Sequence, residues 1–371
     1  MMTVIRDAIH GNITLSEVEK RVVDCADFQR LRRIRQLALA HLVYPGAMHT
    51  RFEHSLGTMH LASGICDVLV ISKDEKEGIR MAALLHDLGH VAFSHESEYA
   101  LRKHLGTHEE VGRRKASSGE IGDIVGENFS AKEILSGKGI MEEIIACDIG
   151  ADRMDYLKRD AHHTGVAYGI IDTDRLIHTM MECGGRICVE RGGLEAAESL
   201  LIGRFLMFST VYMHKTVRIA SSMLDRAIRR AVEAGELEPE DFLFAGDEEM
   251  LLKLAGAKGG APYAEAIINR RFYKQALEIS DLHPLLREPE KAEKELSAKC
   301  ECDIIIGMPN APAQPSGFGV KGKEGMQEVM EASELVAALL SAEERRRNAI
   351  IMCPEGARLK VEKTAKKYFG P

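Results

Sequence analysis

A histidine and an aspartate stand side by side at His86-Asp87, inside the run LLHDLGHVAFSH. A neutral imidazole and a carboxylate both bind hard or borderline divalent cations. Two further strings carry the same kinds of group: HTRFEHSLG upstream, with histidine, and ADRMDYLKRDAHH downstream, with aspartate. Four such ligands gathered from separate segments make a site that activates water. A histidine and an aspartate at the end of an apolar helix are expensive unless they are coordinated or hydrogen-bonded. That cost is the reason to read the doublet as functional.

The elements that must position these groups are mostly helical. From Asp27 the apolar residues Phe28, Leu31, Ile34, Leu37 and Leu39 are spaced near the helical period, which predicts a helix ended by Tyr44-Pro45-Gly46. Further helices are predicted over about 51–70, 75–88, 139–159 and 194–234, with a loop of short helices over 107–128. Residues 1–20 read as a short extended stretch and turn broken at Gly11-Asn12, and RICVE, flanked by glycine pairs, as part of a small β-hairpin. Residues 240–297 read as helical and charged. Beyond them, DIIIGM and NAIIMC read as strands around a helix over about 323–345, with a β-α-β character, and 309–317 as a proline-rich loop. The expected architecture is a mostly α core over 1–235, a helical extension over 236–298 and a small α+β region over 299–371.

Composition narrows the function. The 371 residues carry 49 Lys and Arg against 57 Asp and Glu, a net charge of −8, which argues against broad nucleic-acid binding. Tryptophan is absent and aromatics make up 5%, so a stacking platform for single strands is disfavoured. The eight cysteines are scattered, and only Cys300 and Cys302 are close, which suggests reduced thiols and a cytoplasmic location rather than a structural zinc site. No signal-peptide pattern opens the sequence and no apolar run approaches the ~20 residues of a membrane span.

Five strings occur in order: DFQRLRRIRQLALAHLVYPGAMHTRFEHSLG, LLHDLGHVAFSH, THEE, ADRMDYLKRDAHHTG and GRFLMFSTVYMHK. Together they resemble the HD-domain phosphohydrolases, and within them the deoxynucleoside triphosphate (dNTP) triphosphohydrolases. The resemblance runs over about residues 4–230. It implies a helical HD core and four metal ligands, His54, His86, Asp87 and Asp152, for a divalent ion such as Mn, Fe, Mg, Ni or Zn. It implies His95 as general acid, Glu98 holding it, and His90 and His108 on phosphate. Arg51, Arg153, Tyr156 and Arg204 match triphosphate and sugar contacts. Gln36 and Asp160 match groups that bond the 3′-hydroxyl, while Leu37 and Tyr212 match groups that pack on sugar and base. Asp148 matches a supporting position.

The implied reaction is hydrolysis of a dNTP to deoxynucleoside and triphosphate by a homodimer or tetramer. Two rivals are hydrolysis of another phosphate ester, such as a nucleoside monophosphate or cyclic nucleotide, and a nucleotide-binding protein that has kept the fold. Val91-Ala92 stands where relatives commonly have Gly-Pro. Asp24, Gln29 and Arg32 match part of an allosteric nucleotide pocket, but Thr3 replaces its basic residue.

Overall fold

Local signals set the starts of several helices. Ser16 accepts from the Glu19 amide while Glu19 reaches back to Ser16, a capping box that starts α1 (Glu17–Asp24). The same reciprocal pair, Thr107 with Glu110, starts α5 (His108–Ala116). Between them lie α2 (Arg51–Val68), α3 (Lys73–Leu85) and α4 (His95–Leu105). Beyond α5 come α6 (Gly119–Asn128), α7 (Ile140–Ala146), α8 (Ala151–Thr164), α9 (Leu194–Met207) and α10 (Lys215–Glu233). The C-terminal part adds α11 (Asp247–Gly256), α12 (Ala261–Ile268), α13 (Pro289–Cys300), α14 (Glu334–Glu344) and α15 (Arg358–Phe369). This computed structural model describes residues 3–130, 134, 138–309, 317–344 and 347–370; the proline-rich run at 310–316 lies outside them. The mostly α class expected from the sequence holds.

Three small sheets brace the helices. β1 (Thr3–Asp7) and β2 (Gly11–Leu15) form an antiparallel hairpin. β3 (Met180–Cys183) and β4 (Arg186–Glu190) form the predicted second hairpin, its turn made by Gly184 and Gly185, both at positive φ. β5 (Lys274–Ser280), β6 (Ile305–Gly307) and β9 (Asn348–Cys353) make a three-stranded sheet in the order β5-β9-β6. β7 (Gly319–Gly322) and β8 (Gly325–Glu328) extend the β3-β4 hairpin to four strands, with β7 parallel to β4.

Several sequence expectations are corrected. Residues 27–39 are not one helix. Phe28, Leu31 and Ile34 are buried as their spacing implied, but the backbone is a single α-turn followed by a 3₁₀ turn. Ile34 turns extended so that its carbonyl accepts from the Arg51 amide, and the Gln36 amide donates to the His49 carbonyl. Pairing with 49–51 replaces helix bonds there. The helix expected over 139–159 breaks at Cys147–Gly150, which puts Asp152 in a first turn. The short helices expected within 107–128 are α5 and α6, and they take up nearly all of the stretch read as loop. β5 interrupts the stretch read as helical over 240–297. The β-α-β reading fails: β6 and β9 are adjacent and antiparallel, and the segment between them carries the β7-β8 hairpin as well as α14.

One core joins α2, α3, α8 and α9, and it includes Phe318, Val320, Val329 and Val336 from the C-terminal region. A second joins α4, α10, α11 and α12, and a third lies between the β5-β9-β6 sheet and α13 and α15. Gly57 on α2 faces α8 with no room for a side chain, because a Cβ there would overlap the Asp155 carboxylate. Gly57→Ala gains ~1 kcal/mol of helix propensity but forces two packed helices apart. We expect a net loss of about 1–3 kcal/mol, read as a lower midpoint in urea; an unchanged or higher midpoint would mean that the helices are not in contact there.

Candidate active site

Three segments converge. α2 brings Arg51 and His54, the turns after α3 bring His86, Asp87 and His90, and the first turn of α8 brings Asp152. His54 Nε2 lies 3.0 Å from Asp152 Oδ1 and 3.6 Å from Asp87 Oδ2. His86 Nε2 lies 3.5 Å from Asp87 Oδ1, 3.7 Å from Asp152 Oδ1 and 3.3 Å from His54 Nε2. The helix N-terminus under Asp152 favours its negative charge.

The far side of each imidazole is occupied. His54 Nδ1 is 2.7 Å from Asp155 Oδ2, and His86 Nδ1 is 2.7 Å from the Ala83 carbonyl. Both partners accept, so both Nδ1 atoms carry hydrogen and both Nε2 atoms point lone pairs into the site. Two lone pairs at this separation, with two carboxylates around them, call for a proton or a cation between them. Burial opposes protonation of His54, yet Asp152 and Asp155 outweigh it and lift its pKa to about 10. Burial also opposes ionisation of Asp87, but Arg51, His86 and His90 hold it well below the usual carboxylate range. A donor set of two imidazoles and two carboxylates fits a divalent cation, which would take the place of that proton.

A second cluster flanks the first. The rings of His90 and His108 stack with centroids 4.2 Å apart, and His95 stands edge-on to both. Glu98 Oε2 is 2.9 Å from His108 Nδ1 and 3.4 Å from His95 Nδ1. Burial works against ionisation of Glu98, but these two histidines outweigh it and depress its pKa. His90 Nε2 lies 3.2 Å from Asp87 Oδ1. Its pKa sits well below the usual imidazole value, chiefly through burial and then through Arg51. His95 is also lowered, mainly by desolvation, although 55% of its side chain remains open to the cavity.

The groups matched to phosphate and sugar sit close by, and the three arginines among them are each already paired with a carboxylate. Arg51 Nη1 bonds Asp87 Oδ2 at 2.6 Å, and its Nε bonds Ser94 at 3.0 Å. Arg153 pairs with Asp148, and Arg204 with Glu343 at 3.2 Å. The Tyr156 ring is 6.4 Å from that of His54. Tyr212, on a π-turn after α9, donates to Asp160 Oδ2 at 2.6 Å, while Asp160 Oδ1 is 2.8 Å from His49 Nε2. Gln36, Leu37, Tyr212 and His95 line a cavity of about 1190 Å³ that reaches toward α13 and β6. Gln36 Oε1 is buried and has no hydrogen-bond partner among the described residues. Of the allosteric match, Gln29 caps the Val23 carbonyl and Arg32 stacks on Phe52.

Sequence reasoning missed four supports. Asp155 holds His54 and also His10, at 2.6 Å. Arg159 joins Asp155 to Asp7. Arg30 donates to the carbonyls of Leu88 and His90. Asp247 accepts from the Phe93 amide at 2.7 Å and the Arg35 amide at 3.0 Å. An Asp-Arg pair at i,i+4 within ADRMDYLKRD was the one available signal, and only for Asp155 with Arg159.

Comparisons with known proteins agree with this geometry. The HD-domain family model matches residues 51–160, and that of the HD-associated region matches 171–370. A Methanocaldococcus jannaschii protein is 38% identical across 95% of this chain and 80% of its own length. The human deoxynucleoside triphosphate triphosphohydrolase SAMHD1 is 30% identical across 62% of this chain and 45% of its own, so the chain spans less than half of that relative. A solved Aquifex aeolicus protein superposes with a TM-score of 0.82 at 31% identity, covering 99% of this chain and 100% of its own.

Two variants test the ligand set. Asp87→Ala removes a donor and not core packing, so the protein should fold but bind no metal by elemental analysis. Equal metal content in wild type and variant would exclude Asp87. Asp155→Asn leaves Asp7 as the carboxylate on Arg159, so the variant should melt lower and, in its folded fraction, bind metal about 10–100-fold more weakly, measured by chelator competition.

Proposed function

We propose that this chain, which belongs to the HD-domain phosphohydrolases, hydrolyses deoxynucleoside triphosphates to deoxynucleoside and triphosphate. The observation that carries the reading is the convergence of His54, His86, Asp87 and Asp152 beside the His90–His95–His108 cluster. The likeness to a dNTP triphosphohydrolase supports the substrate class. His54, His86, Asp87 and Asp152 would hold a divalent ion, which would supply polarisation of a phosphate oxygen and a lower pKa for the attacking water. Water oxygen bonds to the α-phosphorus as the bond to O5′ breaks. The bound phosphate anion offsets the burial that lowers the His95 pKa, so His95, aligned by Glu98, carries and delivers the proton that O5′ requires. His90 and His108 line the phosphate side of the ligand cluster, and Arg51 neutralises charge building on the phosphate oxygens. Asp155 keeps His54 in one tautomer throughout.

The sugar is selected by fit. Tyr156 lies one helical turn from Asp152, so its ring flanks the sugar when the phosphates engage the ligand cluster. A snug ring leaves no room for a 2′-hydroxyl. Asp160, fixed by Tyr212 and His49, and the Gln36 carbonyl, which has no partner among the described residues, supply acceptors for the 3′-hydroxyl. The eight free cysteines support a reducing, cytoplasmic setting. Among the described residues no helix is long and apolar enough to cross a membrane. A homodimer or tetramer rests on the resemblance and is read directly by light scattering.

One observation favours a second reading. Arg51, Arg153 and Arg204 are each engaged by a carboxylate, which suits a shorter phosphate ester better than a long chain. Product analysis separates the two. Incubation with each dNTP and Mn²⁺ or Mg²⁺ should yield triphosphate, and kcat/KM should favour dATP over ATP, with 2′,3′-dideoxy substrates poor. Replacing Tyr156 with a small residue should narrow the deoxy-to-ribo preference. Equal turnover of ATP and dATP would overturn the deoxyribose reading, and turnover of monophosphates or cyclic nucleotides alone would establish the second.

A further inference from the structure

We propose that Glu343, on α14, determines specificity at the phosphate site: its carboxylate holds the Arg204 guanidinium that a substrate phosphate engages, so the phosphate must displace it. The inference rests on the reading of Arg204 as a phosphate contact. The two side chains meet across 139 positions in sequence, Arg204 Nη1 to Glu343 Oε2 at 3.2 Å, with 9% and 7% of their side chains exposed. Carboxylate and phosphate are alternative anions for one guanidinium fork. Glu343 Oε1 is buried and has no hydrogen-bond partner among the described residues. The contact is therefore half-satisfied on the acid side, the arrangement of an exchangeable partner rather than of a closed ion pair. Glu343 also lies in the last turn of α14, where the helix dipole disfavours negative charge. Arg204 is what holds it there.

The helix that carries Glu343 is docked where Arg204 originates. Ser333 at its start donates to Glu198 on α9 at 2.5 Å, and Val336 packs in the main core. Arg204 sits on the same α9, close enough for its charge to act on both Tyr156 and Tyr212, the groups placed on the sugar. A second link runs parallel to the first. The Gly317 amide donates to Asp148 Oδ2 at 2.8 Å, and Asp148 Oδ1 engages Arg153. Arg153 and Arg204, two of the three arginines matched to phosphate, are thus held by carboxylates that belong to, or are bonded to, residues within 317–344. A phosphate that reaches Arg204 meets a negative charge already in place. A phosphate chain too short to reach it does not.

The test reads binding, so it stands apart from which nucleotide is hydrolysed. Inorganic tripolyphosphate and inorganic phosphate are titrated calorimetrically, in Mg²⁺ buffer, into full-length wild type, Glu343→Gln, Arg204→Ala and the double variant, with thermal melts as a folding control. Glu343→Gln should bind tripolyphosphate about tenfold to a hundredfold more tightly, the scale of one charge-assisted contact, and inorganic phosphate no better than wild type does. The double variant should bind like Arg204→Ala, with the gain erased. Should Glu343→Gln fail to fold, Glu343→Asp, which keeps the charge but shortens its reach, should show a smaller gain in the same direction. Weakened binding by Arg204→Ala with no gain, or a loss, on substitution of Glu343 would overturn the competition and leave Arg204 as a phosphate contact. Wild-type affinity in Arg204→Ala would overturn both.

Discussion

A fully buried guanidinium organises this protein. Arg159 bonds Asp155 through Nε and Nη2 and Asp7 through Nη1 and Nη2, so one planar fork closes on two carboxylates. Such a group is tolerable inside a core only when its donors are matched, and removing one partner of a buried pair costs about 3–5 kcal/mol. A lysine would offer a point charge and could not bridge both acids in one plane. The pair ties the N-terminal hairpin to α8, and through Asp155 it sets the tautomer of His54. Gly57 has no side chain because the Asp155 carboxylate and Arg159 occupy the space beside it. Structural and chemical demands therefore meet in one side chain: Asp155 neutralises Arg159 with one face and aims a proposed metal ligand with the other.

The turns that follow α3 raise a different problem. Phe93 and Ser94 both adopt positive φ, a conformation costly for residues with a Cβ, of order 1–3 kcal/mol each. Phe93 is buried, and its amide is held by Asp247 from α11, far away in sequence. Burial raises the pKa of Asp247, and the amides of Arg35 and Phe93 and the charge of Arg35 offset that cost. Arg30 secures the other side by capping two carbonyls of the same turns. The strain places Ser94 against Arg51 and starts α4 at His95, so the segment between His86 and His95 is shaped from both ends of the chain.

The C-terminal region is part of the same scaffold. β7 pairs with β4, Phe318 and Val320 fill the main core, and the β5-β9-β6 sheet packs through Ile305, Ile350 and Met352 against α10. Arg218 on α10 donates to the carbonyls of Gly307 and Asn348, which fastens that sheet to the helix. This continuity agrees with a family match that runs from residue 171 to 370 without a break.

The sequence alone carried the doublet His86-Asp87, the order of the five motif strings, the mostly helical class and the boundaries of α2. These are local properties: residue type, spacing and apolar period. It did not carry the break at Cys147–Gly150 or the 3₁₀ path of 30–33, because a period near 3.6 reports which residues are buried and not which backbone bonds bury them. Nor did it carry the antiparallel pairing of β6 with β9, since an apolar run states no direction. The supporting groups were hidden for the same reason. Asp155, Asp247 and Glu343 look in sequence like ordinary surface acids on helices, and only the tertiary structure puts each beside its buried partner. A long-range contact has no local signature: its energy comes from two desolvated groups that meet, and either group alone gives no sign of the other.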